Sequence, residues 1–109
     1  MSADLDSQKR ATDFIRLLHD KKTKDAYQLF TNKLKQKFAD VAAFDDYLAK
    51  HPSQWIVVVP TQANKETNDP KVRVFTYTNL DRGKLTIFLI TMAKVDSTWM
   101  VDDLDIVSV

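Results

Sequence analysis

The stretch STWMVDDLDIVSV, Ser97 to Val109, decides how the rest of the chain is read. Trp99 and Val101 share one face of a strand, yet Leu104 and Ile106 fall on the opposite parity. One extra residue at Asp102-Asp103, a β-bulge, returns all four to a single buried face, and such a bulge bends the strand. On this reading Asp102, Asp103 and Asp105 point outward or sit at a rim. A calcium-type cluster is not expected, because no glycine-turned loop and no spaced series of carboxylates accompanies them.

Working back from that strand, LTIFLITMAKV is apolar on both faces, with Leu85, Ile87 and Leu89 on one and Phe88, Ile90 and Met92 on the other. A strand of this kind normally has both faces covered. Ahead of it KVRVFTYTN alternates, and LDRGK supplies a tight connection in which Gly83, the only glycine, can take a positive φ. The polar TQANKETNDP reads as an exposed loop, and the apolar WIVVV, stopped by Pro60, as a first strand. Four strands are therefore expected.

The first half has helical periodicity. Ala11, Phe14, Ile15, Leu17 and Leu18 form one stripe from Ser7 to about Lys21. Tyr27, Phe30, Leu34 and Phe38 form a second, with Thr23 as its N-cap. Val41, Phe44, Tyr47 and Leu48 form a third, capped by Asp40 and ended by His51-Pro52. The layout is α+β: three N-terminal helices packed on a curved antiparallel four-stranded meander, in one domain spanning 1–109 with 1–6 as a loose leading segment.

Composition narrows the function classes. Lys+Arg 16 against Asp+Glu 15 gives a net charge of +1, which provides no overall field for nucleic acid or membrane. Cysteine is absent, so disulfides and thiolate chemistry are excluded and the compartment is left open. No apolar run approaches the length of a transmembrane helix, and the opening MSADLDSQKR shows no export signal. No cofactor motif is present. His19 and His51 lack acid/base companions in sequence and read as structural or surface residues. Lys33 and Lys37 share a helical face while Lys35 turns away.

Three segments carry a resemblance: FIRLLHDKKTKDAYQLF (Phe14–Phe30), FDDYLAK, and the closing TWMVDDLDIVSV. Together they resemble the nuclear transport factor 2-like superfamily, grouped with cystatin-like cones, and in particular its small bacterial domains of unknown function. The resemblance implies long final strands curving around the helices, and an exported or extracytoplasmic setting. Family members include isomerases, dehydratases and non-enzymatic binding modules, so fold alone does not choose.

The expectation is a non-enzymatic module that binds a small apolar ligand in the cone or a partner on the sheet face, with a homodimer through that face as one form. A ligand pocket would be walled by Tyr27, Tyr47, Trp55, Tyr77, Phe88 and Trp99. The alternative is a small isomerase or hydrolase pairing an inward Asp102 or Asp103 with Tyr27 or Tyr77. A third reading is an adaptor that meets an anionic partner through the basic face from Lys21 to Lys37.

Overall fold

The computed structural model describes residues 3–60, 62–66 and 69–109, with side-chain surroundings for 5–60 and 69–109. Four helices come first: α1 (Ala3–His19), α2 (Thr23–Tyr27), α3 (Asn32–Lys37) and α4 (Val41–Ala49). Four strands follow: β1 (Gln62–Glu66), β2 (Val72–Asp81), β3 (Lys84–Val95) and β4 (Thr98–Ser108). They form one antiparallel sheet in chain order, with β2, β3 and β4 as its long members. The α+β layout and the helix-then-strand order are as the periodicity predicts.

Three expectations are corrected. First, the stripe Tyr27–Phe38 is not one helix. The α2 helix ends at Tyr27 with Gln28 as its C-cap, and a new helix starts after Thr31, whose extended backbone and side-chain oxygen cap α3 by accepting from Leu34 N. Phe30, Leu34 and Phe38 are nevertheless all buried, so the spacing marked the core correctly and hid the break. Thr23 is the first residue of α2 rather than its cap, a position held by Lys22 without a side-chain bond.

Second, WIVVV is not a strand. Ile56 makes a single antiparallel bridge to Asn79, with Val57 N–H donating to Thr78 O. From Ile56↔Asn79 to Gln62↔Thr76 the chain advances six positions (56 to 62) while β2 advances three (79 to 76), and the surplus keeps Val58–Pro60 out of the ladder. Sheet pairing resumes in Gln62–Glu66, inside the stretch expected to be loop. Positions 61, 67 and 68 of that stretch lie outside the described residues. Third, α1 begins at Ala3, so residues 3–6 are helical rather than loose, while residues 1 and 2 lie outside the described residues.

The bulge is where the parity places it. Thr91 pairs with Asp103 but Met92 pairs with Val101, so Asp102 is the extra residue of β4. As a result Trp99, Val101 and Leu104 are all buried and Ile106 packs against the same core. Asp40 caps α4, accepting from Ala43 N at 2.8 Å. Gly83 has φ +81 in the β2–β3 turn, as that tight connection requires.

Helices and sheet meet over a core rich in aromatic rings. Phe30 lies 4.9 Å from Phe44 and 5.9 Å from Phe14, and Phe38 lies 5.3 Å from Phe44, all at the tilted or edge-on angles such pairs favour. Phe75, Tyr77, Phe88, Ile90 and Met92 supply the sheet's side of this core. Asp40→Ala should lower unfolding free energy by about 1 kcal/mol through loss of the α4 cap. Urea titration of the two proteins checks this, and an unchanged midpoint would mean the cap contributes nothing.

Candidate functional site

The three aspartates are bound into the fold from the helical side. Asp102, the bulged residue, accepts from Thr31 Oγ1 at 2.9 Å and faces Lys33 Nζ at 3.4 Å. Lys37 Nζ donates to Leu104 O at 2.9 Å and stands 3.5 Å from both Asp103 and Asp105. Lys33 and Lys37 do share a helical face, and that face is the one turned to β4. Lys35 instead lies over the Tyr27 ring. The exposed ion pairs contribute little each; the Thr31–Asp102 bond, part-buried and between side chains 71 positions apart, is the stronger anchor. Among the described residues no group of three His, Asp or Glu side chains is placed to hold a metal ion.

The phenols are equally committed. Tyr27 O–H donates to Phe38 O at 2.8 Å, and Tyr47 Oη accepts from Ile106 N at 3.3 Å. Tyr77 is fully buried and its hydroxyl is hydrogen-bonded to Thr12 at 2.9 Å. Desolvation pushes its pKa up to about 12; the Thr12 bond opposes this and the Asp13 charge adds to it. Phe88 and Trp99 are core residues, with Trp99 O accepting from Arg10 Nε, while Trp55 is 61% exposed. The six residues expected to wall a pocket are therefore divided among core, helix contacts and surface. Neither of two clefts beside α1 is lined by Asp102, Asp103, Tyr27 or Tyr77.

Two surface clefts are lined by other residues. One, of about 500 Å³, lies where α1 and α4 end, against Lys21, Asp45, Leu48, His51, Ser53 and Asp81. The other, of about 540 Å³, runs between α1 and Val58–Pro60, past Leu5, Thr12, Asp13 and Arg16. The Nδ1 of His51 is buried without a hydrogen-bond partner, its ring packed against Tyr47 at 5.2 Å. His19 is at the surface beside Asp20.

What stands out is the face of the sheet turned away from the helices. Burial alternates along β2 and β3, so Phe75, Tyr77 and Asn79 and then Thr86, Phe88, Ile90 and Met92 enter the core. The intervening residues form rows across the outer face. Leu80, Leu85 and Val109 make one row, with Val109 N donating to Leu85 O. Thr78, Ile87 and Val107 make the next, extended by Val57 beside Thr78. Thr76, Leu89 and Asp105, then Val74, Thr91 and Asp103, then Val72, Ala93 and Met100 complete it. Leu80 is 60% exposed and Val107 47%, while Leu85, Ile87 and Leu89 are half-buried by one another. The double apolarity of β3 signalled this face in the sequence; the contributions of Val57 and Val109 were not signalled, because they depend on pairing.

No family model, curated protein or solved structure matches the chain.

Two outcomes test this geometry. Asp102→Ala should cost about 1–2 kcal/mol by leaving Thr31 without its partner, while Asp105→Ala stays within about 0.5 kcal/mol; equal losses in urea titrations would contradict the anchor. For Tyr77, a folded pKa above the unfolded value near 10 means its contribution is complete below pH 10 and is lost as pH rises towards about 12. Tyr77→Phe should therefore lose less stability than the parent between those pH values, and should remove a late phenolate step in absorbance titration.

Proposed function

We propose that the chain is a non-enzymatic interaction module of the nuclear transport factor 2-like kind, and that the outer face of its sheet is its working surface. The observation that carries this reading is the apolar run Leu85, Ile87 and Leu89 along β3, flanked by Leu80 and Val107, over which no helix packs among the described residues. Antiparallel sheets with one face solvated usually alternate apolar with polar residues. Here Val74, Leu80, Leu85, Ile87, Leu89 and Val107 occupy the side where polar residues would cost nothing. A contiguous apolar patch of that kind, half-buried along β3 and exposed at Leu80 and Val107, is the sort that marks an interaction site.

The same geometry weakens the competing readings. An acid–base enzyme needs a carboxylate and a phenol converging on one accessible cleft. In this chain Tyr77 is held by Thr12, Tyr27 by Phe38 O and Asp102 by Thr31. Of the basic face from Lys21 to Lys37, Lys33 and Lys37 already face carboxylates of β4.

Site-specific photo-crosslinking tests the proposal. With p-benzoylphenylalanine in place of Ile87, a discrete adduct, to itself or to a foreign protein, is expected in cells that carry the chain. None is expected from the same label in place of the exposed Gln36 on α3, and the adduct should vanish when Leu85→Lys is added. Equal labelling from both positions, or none from 87, would refute it.

A further inference from the structure

We propose that the cleft where α1 and α4 end binds a small zwitterion with an apolar body, of the kind an apolar dipeptide presents: a free ammonium, a free carboxylate and aliphatic side chains between them. None of the outer-face residues lines this cleft, so the site is separate from the interaction surface described above.

The lining combines an apolar bed with charges of both signs. Leu18, Leu48 and Ser53 are buried there, and Asp45, Leu48 and Ala49, spaced three and four apart on α4, bring a carboxylate and apolar surface onto one helical face. The volume of about 500 Å³ suits a small organic molecule rather than a bare ion. Lys21 and Lys50 supply cations, and Asp45 and Asp81 supply anions. Among the described residues Lys21, Lys50 and Asp45 form no ion pair, and Asp81 has only Arg82, 4.0 Å away and 94% exposed. Asp81 itself is half-buried, so it has lost water without gaining a close countercharge.

That balance selects the ligand. A purely anionic molecule meets two carboxylates here, and a purely cationic one meets two ammonium groups. A molecule with one charge of each sign finds a complement for both. The ends of α1 and α4 add partial negative charge from their last carbonyls, which favours the ligand's ammonium.

Two details of the cleft oppose stability and acquire a reason in a ligand. Lys22 N–H donates to Leu17 O at 2.8 Å and Lys21 N–H to Leu18 O at 3.1 Å, the paired bonds of a Schellman motif closing α1. The residue in the left-handed conformation of that motif is usually glycine, yet here it is Lys21, with φ 60. The chain thus holds a long cation at the cleft where glycine would relax the backbone. The second detail is His51, whose Nδ1 is buried without a hydrogen-bond partner while its ring packs on Tyr47 at 5.2 Å. A turn of the ring about χ2 would present that nitrogen to a ligand, which can supply the partner that the protein does not.

Titration of the dipeptide leucyl-leucine into isotope-labelled protein, followed by amide chemical shifts, tests the site. Shifts are expected at Lys21, Lys50, His51 and Asp81, and not at Ile87. The N-acetylated dipeptide and the dipeptide amide, each lacking one charge, should bind about tenfold more weakly, the loss of one charged hydrogen bond. Asp81→Asn should weaken leucyl-leucine by a similar factor and leave the N-acetylated form unchanged. Lys21→Gly should bind about tenfold more weakly without a lower urea midpoint, whereas a purely structural lysine would leave binding unchanged. No shifts in the cleft at about 10 mM dipeptide would overturn the site, as would shifts confined to Ile87 and its neighbours, which would put the peptide on the outer face instead. Equal affinity for all three peptides would overturn the zwitterion and leave only an apolar cleft.

Discussion

The fold turns on Val101. Its N–H donates to Leu29 O at 2.8 Å and its carbonyl accepts from Thr31 N at 2.9 Å, tying the chain between α2 and α3 to the outer edge of β4. That pairing accompanies the break between α2 and α3 and leaves Thr31 extended, where it caps α3. The same hydroxyl then reaches Asp102, the one residue that β3 cannot pair, so the bulge and the helix break are held by each other. With Phe30 fixed here, its ring lies among Phe14, Tyr27, Phe38 and Phe44, and the helical layer acquires its centre.

From that point the edge of β4 is closed in sequence. Trp99 O is taken by Arg10, Leu104 O by Lys37 and Ile106 N by Tyr47. An unpaired strand edge is a template for association with another chain, and proteins commonly block it with charge or cover. Here one side chain from each of α1, α3 and α4 does so. Lys37, one of the lysines that suggest an anion-binding face, and Tyr47, one of the residues expected at a pocket wall, are used in this closure. The sheet is thus covered along this edge, while Leu85, Ile87 and Leu89 lie on its outer face.

Inside, two polar side chains of the sheet are tied to specific partners, although the amide nitrogen of Asn79 is buried without one. Asn79 is fully buried and its side-chain oxygen accepts from Trp55 N at 2.8 Å, which docks the segment after α4 against β2. Tyr77 is satisfied by Thr12 across the core. These bonds add directional constraints to a core that is otherwise aromatic and aliphatic, and they hold α1 and the 53–57 segment at defined places on the sheet.

Much of the architecture was legible in the residues. Alternation in KVRVFTYTN, double apolarity in LTIFLITM and the parity change around Asp102-Asp103 place β2, β3 and the bulge of β4 correctly, because side chains on a strand must alternate faces. The stripes of α1 and α4 and the Asp40 cap were legible for the corresponding reason in helices. The break at Thr31 and the loss of WIVVV to a single bridge were not, since both are imposed by pairing with distant strands. By itself, then, the sequence determined the class of fold, the core residues and the existence of a second apolar face, all of which follow from local periodicity. Only the tertiary structure decided what the polar groups do. Thr12–Tyr77, Thr31–Asp102 and Arg10–Trp99 join residues 65, 71 and 89 positions apart, and no local pattern can assign a hydrogen bond across that distance.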